Sequence, residues 1–544
     1  MRKVIIMTVT SRTSGASASR PVRKNWRFSI AQAETIHGLL TMVSKPLGAC
    51  AFVLPDGQAL HVQPAGPADL ATLPQAASIC HRYLTLRNGD VALTNDPNSG
   101  GTTLSDFTLV TGVSLESTGG ESDVLIARRI SLPARISNKP GLDAEGVRIP
   151  PMPLVVGGNL NSEILAAISA HPLAPLGLAD AVLESLQALK IAATALKNIA
   201  GESGSELRKA NFKNYFEDSS RAFEALMARL PLGAVSVSQR APSGELIKLQ
   251  LKLTEKTLHF DFGGTEASSV LALTEIATFS ACMAATAYAI GKPFAMNAGT
   301  FGHLQISAPA RTLVSSHVQA QTAAGAWRGM TIGIALVCDL ALTAFSRLNP
   351  ALKTSPGAGF HGLFQFEFSE GRILSGRIAG GGGARIDQDG AEAYARWAEQ
   401  GTDLISIEKL EKDFPVSALA AGTRSSSGGK GLKRGGDGAI FAVQCLEPSL
   451  LRWILGPMIE RRDGLDGGRA GQTAKIEIIR AAGGDRESIE TAEGSVRLEA
   501  GDQAYVMSSG GSGFGTMSEA AEAKEAAKEA KKEAKEKSKS SPPL

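Results

Sequence analysis

The chain has 544 residues, of which 43% are hydrophobic and 20% are charged, and its formal net charge is +3. This apolar content is enough for a large buried core, and the length predicts two to four domains. This nearly neutral net charge argues against a nucleic-acid-binding protein, which would be expected to be strongly basic. The 59 glycines, many of them clustered, favour a protein rich in loops and strands over a helical bundle.

Cysteine usage and apolar runs predict a cytoplasmic protein without a membrane span. The cysteines are far apart, odd in number and free of CxxC or Cys/His clusters, which predicts reduced, buried thiols. They are Cys50, Cys80, Cys282, Cys338 and Cys445. The apolar run in MRKVIIM is too short for a secretory signal. The apolar stretch Thr331 to Phe345 contains Asp339 and is shorter than the roughly 20 residues of a membrane span, so we expect a core helix.

The first predicted elements belong to an N-terminal α/β region at 26–160, preceded by a disordered basic N-terminus at 1–25. The region begins with a helix at 26–40, followed by a strand, turn and strand in CAFVLPDGQALHV and a helix at 68–86. The strand VALTN then leads into a polar loop at 95–106, and the strands FTLVTGVSL and DVLIARRISL follow. The Pro/Gly-rich segment 134–160 is predicted to be irregular.

The rest of the chain predicts a hairpin and helix-rich central region at 161–355 and a Gly-rich β region at 356–516. Apolar periodicity gives a helix from Asp180, as its cap, to Ile199. Further helices are expected at 205–230, 274–290 and 328–347, and a hairpin with its turn near Glu255-Lys256. Residues 517–544 form an Ala/Glu/Lys-rich tail without an apolar stripe. The pattern indicates a large mixed α+β fold.

Seven segments, taken in order, resemble those of the hydantoinase B/oxoprolinase family. GDVALTNDPNSGGTTLSD at 89–106 is similar to the family's GDV-x-x-x-NDP-x-x-GGTHLPD. The other similar segments are EGVRIPP (145–151), FDFGGT (260–265), NAGTFG (297–302), GGGGARIDQDG (380–390), SSSGGKGLKRGGDG (425–438) and EAGDQAYVMSSGGSGFG (499–515). Asn-Asp-Pro and Gly-Gly are common turn formers, but the segments together span most of residues 26–515 in family order.

The resemblance implies a subunit, or the second half, of an ATP-dependent enzyme. Members of the family open cyclic amides such as 5-oxoproline and hydantoins, or carboxylate ketones. ATP is expected on a hydantoinase A-type partner and no cofactor on this chain, and a further, intact hydantoinase B-type subunit is a second candidate partner. Several members of the family bind a divalent metal through Asp and His.

At the matching positions this sequence departs from the implied metal site. Leu47 falls where the family has an Asp, and Thr103 stands for the His of THLPD, so only Asp106 is kept. RRISLPARIS (128–137), with Arg128 and Arg129, replaces a stretch that contains His and Asp. Because a tight zinc site needs three or four converging ligands, we expect no bound metal. The predicted remnant of the site is Asp96, Gly100, Gly101, Thr103 and Asp106.

We expect Asp106 to face a pocket shared with the 128–137 strand; if Arg128 or Arg129 faces that pocket, its guanidinium would repel a cation and pair with Asp106 instead. Asp96 either shares this site or is a turn residue, which is the commoner role of Asn-Asp-Pro. His37, His61 and His81 are each read as surface or hydrogen-bonded residues.

Two glycine-rich segments in the C-terminal part are candidate sites for binding phosphate or another anion. GGSGFG (510–515) lacks the Lys-Ser/Thr of a P-loop and predicts a packing turn. Lys430, Lys433 and Arg434 lie among glycines, which leaves an anion site or a tight turn open.

Three functions remain open from the sequence. The first is a supporting subunit with a degenerate site. The second is an active hydrolase with a site rebuilt around Asp106, because a single buried carboxylate can act as an acid or base. The third is an assembly protein outside metabolism, which is supported only by the Ala/Glu/Lys-rich tail at 517–544. Substrate and stoichiometry are not encoded in any motif.

Overall fold

The structure is a computed structural model, and it describes residues 4–8, 36–115, 120–133, 136, 141–202, 207, 209–268, 271–316, 328–359, 361–397, 407–456 and 461–517. The predicted helix at 26–40 lies mainly outside these residues, as do most of the predicted disordered N-terminus and all but the first residue of the tail at 517–544. Within the N-terminus, Val4–Thr8 forms a strand, β1, where the sequence predicted disorder. Its Val and Ile residues favour extended backbone.

The chain divides into two compact units. The first contains Thr13–Pro350 and Trp397–Gly401, and the second contains Ala351–Arg396 and Thr402–Leu544, with the first twelve residues divided between them. The domain bounds predicted from the sequence stay predictions, although the predicted change at 355/356 lies close to the division after Pro350. Each unit is described separately below.

The helices of the first unit include long amphipathic segments near the predicted positions. In chain order the described helices are α1 (Ile36–Ser44), α2 (Asp69–Leu84), α3 (Leu142–Glu145), α4 (Ser162–Ser169), α5 (Leu178–Gly201), α6 (Phe212–Met227), α7 (Glu275–Ile290), α8 (Ala298–Phe301) and α9 (Ile334–Leu348). Helix α5 begins at Leu178 after Gly177, so the prediction that Asp180 is its cap is wrong. Asp180 lies in the first turn instead, where its carboxylate interacts favourably with the helix dipole.

One antiparallel sheet of seven described strands forms the centre of the first unit. Across the sheet the strands are β3 (Ala59–Gln63), β2 (Cys50–Val53), β6 (Val124–Ser131), β5 (Asp106–Val113), β4 (Val91–Thr94), β7 (Met152–Val156) and β8 (Asn159–Leu160). Every residue of β5 is buried because both faces of the sheet are covered. Helices α1 and α5 cover one face, around Phe107, and α2 covers the other, around Val110.

The segment 134–160 is more regular than predicted. It contains α3, β7 and β8 in its described part, and β7 pairs with β4 at the side of the sheet. Local composition suggested a loop, but pairing with a distant strand supplies the hydrogen bonds that its backbone needs.

A smaller sheet in the first unit contains the predicted hairpin. Its order is β12 (Leu304–Ser307), β11 (Leu258–Asp261), β10 (Leu246–Leu253) and β9 (Gly233–Arg240). Leu253 pairs with Leu258, which confirms the turn near Glu255-Lys256. The stretch Gly329–Leu348 is long and apolar enough to cross a membrane, but 78% of its most apolar window is buried, as in a core helix.

The second unit is mainly β structure. One described sheet has the order β1, β14 (Ile373–Ala379), β13 (His361–Glu367), β17 (Ser449–Ile454) and β20 (Glu493–Leu498). The other has the order β15 (Val416–Arg424), β16 (Gly438–Cys445), β21 (Gln503–Met507), β18 (Lys475–Ile479) and β19 (Arg486–Ile489). Phe364 of β13 stacks on Phe441 of β16 at 4.8 Å between ring centroids. With helix α10 (Ile407–Asp413), these sheets and the helices of the first unit confirm the α+β class.

Candidate functional site

The polar loop at 95–106 is anchored by one buried amide. Asn95 Nδ2 donates to the carbonyls of Leu104 at 2.9 Å and Val147 at 2.8 Å. Its Oδ1 accepts from the Ile149 amide at 2.7 Å. These bonds hold both ends of the loop, and they tie the loop to the EGVRIPP segment that follows 40 residues later in the similar family pattern.

Asp96 is a turn residue. Its carboxylate accepts from the Asn98 amide at 3.2 Å and caps the short 3-10 turn Pro97–Ser99. Its other side-chain contacts, with Asn98 Nδ2 and with Ser99 Oγ at 3.5 Å each, lie in the same turn. Of the two interpretations that the sequence left open, the structure supports the turn.

Gly100 and Gly101 let the loop pack closer than any side chain would allow. Gly100 has φ +82°, and a Cβ there would lie 2.4 Å from the Ala76 amide nitrogen of α2. A Cβ on Gly101 would lie 2.3 Å from the Asn95 carbonyl oxygen. The backbone therefore needs glycine at both positions, which confirms that part of the prediction.

Asp106 is buried at the start of β5, where it pairs in register with Ser131 of β6. Its Oδ2 accepts from Thr102 Oγ1 at 2.7 Å, from Thr103 Oγ1 at 2.7 Å and from the Thr103 amide at 3.2 Å. Thr103 Oγ1 also lies 2.8 Å from Ser105 Oγ. Asp106 thus faces inward beside the predicted strand, but its side-chain partners come from its own loop.

Arg129 forms a buried ion pair with Asp69, so the pairing with Asp106 that was predicted for an inward-facing Arg128 or Arg129 does not form. Arg129 Nη1 lies 2.5 Å from Asp69 Oδ1, and their side chains are 2% and 5% exposed. The same guanidinium donates to Thr72 Oγ1 at 3.0 Å, Thr108 Oγ1 at 3.1 Å and the Gly100 carbonyl at 2.6 Å. All three of its nitrogens are therefore hydrogen-bonded.

Asp69 is the site residue that the sequence analysis missed. It lies in the first turn of α2, and its Oδ2 accepts from the amides of Ala65 and Gly66 at 3.0 and 3.3 Å. An acidic residue in a first helical turn is common, so the sequence offered no reason to single it out. Only the fold brings α2 over β6 and places Asp69 against Arg129.

Arg128 points away from this ion pair because neighbouring residues of a strand face opposite sides of the sheet. Its Nε donates to the Leu47 carbonyl at 3.0 Å, while its Nη1 is buried without a hydrogen bond. Burial lowers the pKa of the Arg128 guanidinium, against the opposing effect of Cys50 and Glu184. Leu47 itself is buried at 2% exposure, so its apolar side chain fills space at the matching position.

The candidate histidines do not converge on Asp106. His61 is buried, with Nε2 3.2 Å from Ser44 Oγ and Nδ1 without a partner. The rings of His37 and His61 make an edge contact at 5.4 Å between centroids, and His37 Nδ1 lies 3.4 Å from Tyr215 Oη. His81 lies in the last turn of α2. Among the residues that the structure describes, no group of three His, Cys, Asp or Glu side chains is arranged to hold a metal ion.

His61 makes the stability of the protein depend on pH. Burial, with a smaller effect of His37, lowers the pKa of His61 to about 3. As the pH falls, the His61 imidazole is therefore protonated in the unfolded chain before it is protonated in the folded chain. The contribution of neutral His61 to the free energy of unfolding is complete above about pH 6.5 and is lost as the pH falls towards 3. From pH 7 to pH 5 we expect the free energy of unfolding to fall by about 2 kcal/mol through this group.

Urea unfolding at both pH values tests this expectation. The variant His61→Gln should lose about 2 kcal/mol less than the parent between pH 7 and pH 5. His171→Gln, at an exposed position, is the matched control and should keep the parent's pH dependence. The same fall in both variants would contradict the assignment to His61.

The glycine-rich segments of the second unit pack backbone against backbone. A Cβ on Gly510 would lie 2.0 Å from the Ser427 carbonyl oxygen, and one on Gly513 would lie 2.2 Å from that of Lys430. Arg434 Nη2 donates to Asp437 Oδ1 at 2.8 Å. The two segments are therefore tight packing turns, as predicted for 510–515. All five cysteines are buried and free, which confirms that part of the sequence analysis.

Two solved structures share the fold of this chain. The ATP-dependent caprolactamase from Pseudomonas jessenii superposes with a TM-score of 0.76 at 18% identity, covering 90% of this chain and 92% of the other. A nucleotide-free acetone carboxylase gives a TM-score of 0.71 at 14% identity, covering 89% and 74%. At these identities the likeness establishes the fold.

Residues 48–517 match the family model of hydantoinase B/oxoprolinase, and the chain belongs to this family. It is 23% identical to 5-oxoprolinase 1 of Arabidopsis thaliana over 86% of its length, and 26% identical to 5-oxoprolinase of Saccharomyces cerevisiae over 79%. It spans only 39% and 36% of those two relatives. An uncharacterized protein of Methanocaldococcus jannaschii is 23% identical and is covered to 84%.

Proposed function

We propose that this chain is a hydantoinase B-type subunit of an ATP-dependent cyclic-amide hydrolase or ketone carboxylase complex, with a degenerate metal site and a supporting role. A hydantoinase A-type partner would bind ATP, and the complex would be cytoplasmic. Membership of the family and the kept glycine turns support the subunit role. The chain's coverage of little more than a third of the 5-oxoprolinases is consistent with one part of a larger assembly.

The observation that best supports a degenerate metal site is the buried Arg129–Asp69 ion pair. Arg129 comes from the stretch that replaces the family's His- and Asp-containing segment, and it brings a fixed positive charge beneath the loop at 95–106. Asp106 is held by two threonine hydroxyls and an amide. A divalent metal needs several anionic or imidazole ligands, and the residues present do not fit one.

The closed arrangement also argues against catalysis at Asp106. A general base must reach the proton that it removes, either directly or through one water molecule. The Oδ2 of Asp106 already accepts three hydrogen bonds from its own loop. Chemistry through Oδ2 would first require these hydrogen bonds to break.

Reconstitution of the complex tests the proposal and separates it from an active subunit. The chain should co-purify from its host with a hydantoinase A-type chain, and the complex should hydrolyse ATP. Asp106→Asn should leave substrate turnover by the complex within twofold of the parent, as should the exposed control Asp180→Asn. A loss of tenfold or more with Asp106→Asn alone would favour the active subunit. Absence of any hydantoinase A-type partner would favour the assembly protein.

A further inference from the structure

A cavity of about 580 Å³ opens in the first unit along α2, on the side of the helix away from Asp69. One stripe of α2 forms its floor, with the turn between β2 and β3, helix α7 and helix α8 as its walls. The α2 residues recur at helical spacing and are Ala71, Pro74, Gln75, Ser78, Ile79 and Arg82. The volume lies in the range of small-molecule sites, about 300–1,000 Å³.

The walls of this cavity are apolar and aromatic. Phe279 of α7 and Phe301 of α8 meet edge to face, with 5.9 Å between ring centroids and 76° between ring planes. Ile79 and Ile276 complete the apolar lining, and all four side chains are only partly buried. This surface offers a ring-sized apolar group a place against two aromatic rings.

Two polar groups at the cavity lack partners. The exposed Arg82 has no hydrogen bond or ion pair with any residue that the structure describes, and Gln75 Oε1 is buried without a hydrogen bond. The carboxylate at the rim, Asp56, is already bound by the amide of Gln58 at 3.0 Å and by its Nε2 at 2.9 Å. The exposed guanidinium of Arg82 is therefore available to an anion, and Gln75 Oε1 is a buried acceptor without a donor, which is costly.

We propose that this cavity binds a small organic carboxylate with an apolar, ring-sized body. The guanidinium of Arg82 pairs with the carboxylate. The apolar body lies against Phe279 and Phe301. The site lies on the other face of α2 from the Arg129–Asp69 pair, so it does not depend on the function proposed above.

The test uses the full chain and 3-phenylpropanoate, with the neutral 3-phenylpropanamide as the matched ligand, in ligand-observed NMR titrations. A ligand of this size is expected to bind with a Kd of about 1 mM or tighter. The amide should bind at least tenfold more weakly, because it lacks the charge that pairs with Arg82. Arg82→Gln should weaken the acid about tenfold and leave the amide unchanged, while Arg82→Lys should keep part of the difference.

The exposed Arg229→Gln is the control for loss of one positive charge and should bind like the parent. Equal binding of acid and amide to the parent chain would overturn the proposal, as would no saturation by about 10 mM, tenfold above the expected Kd. A third contrary outcome is loss of a co-purifying chain from Arg82→Gln with no saturable binding of the acid. That result would assign the surface to a protein partner.

Discussion

Replacing Asp69 by alanine is expected to lower the free energy of unfolding by about 3–5 kcal/mol. The substitution removes the carboxylate that pairs with Arg129, whose side chain is only 2% exposed. An arginine cannot lose its proton at neutral pH, so the variant would bury an uncompensated charge. Urea unfolding at pH 7, with the midpoint and the slope both fitted, measures the loss.

A double variant separates the loss of the pair from the loss of packing. Asp69→Leu with Arg129→Met removes both charges and keeps apolar volume, so it should recover most of the stability lost by Asp69→Ala. Asp387→Ala breaks an exposed pair with Arg385, and should cost no more than about 1 kcal/mol. If Asp69→Ala costs no more than Asp387→Ala, the ion pair does not hold the site closed.

Gly100→Ala is expected to cost about 3 kcal/mol or more, for two separable reasons. The residue has φ +82°, where a side chain is strained by about 1 kcal/mol or more, and its Cβ would meet the α2 backbone at 2.4 Å. The atoms that it meets are backbone atoms of Thr72 and Ala76, so neither can turn away. The loop would move off α2 and take the Gly100 carbonyl away from Arg129 Nη2.

Gly89→Ala is the matched control for this effect. Gly89 has φ +87°, but a Cβ there would have no heavy atom within 4 Å. It should therefore show only the conformational strain, about 1 kcal/mol. Chemical unfolding of both variants gives the cost of the close approach as their difference, and equal losses would contradict it.

Local sequence patterns predicted most of the helices and strands, because the spacing of apolar residues along the chain differs between these two kinds of element. Alternating leucines gave the hairpin around Leu253 and Leu258, and the apolar stretch through Asp339 gave a buried helix. The cap of α5 was misplaced because Asp180 is a good cap by type, whereas Gly177 precedes the helix in the structure. Strand β7, within 134–160, was missed because its pairing partner, β4, lies about 60 residues earlier in the chain.

The site was predictable in outline and not in its main contact. Motif order located the loop at 95–106, and the glycine rule explained Gly100 and Gly101. Arg129 was noticed, but the sequence offered Asp106 as its nearest acidic neighbour of interest. Its actual partner, Asp69, lies 60 residues away in sequence and meets it only when α2 packs on the sheet. The pairing of Asp69 with Arg129 follows from tertiary packing, which cannot be deduced from the sequence of a single chain.

Elemental analysis of the chain purified without chelators tests whether the chain holds a bound metal ion. We expect zinc and manganese far below one ion per chain. We expect the same for Thr103→His, because one added imidazole leaves the Arg129 charge in place. The contradicting result is stoichiometric zinc or manganese in the unmodified protein that is lost in Asp106→Asn. In that case the loop at 95–106 would be a working metal site, and the chain an active enzyme subunit.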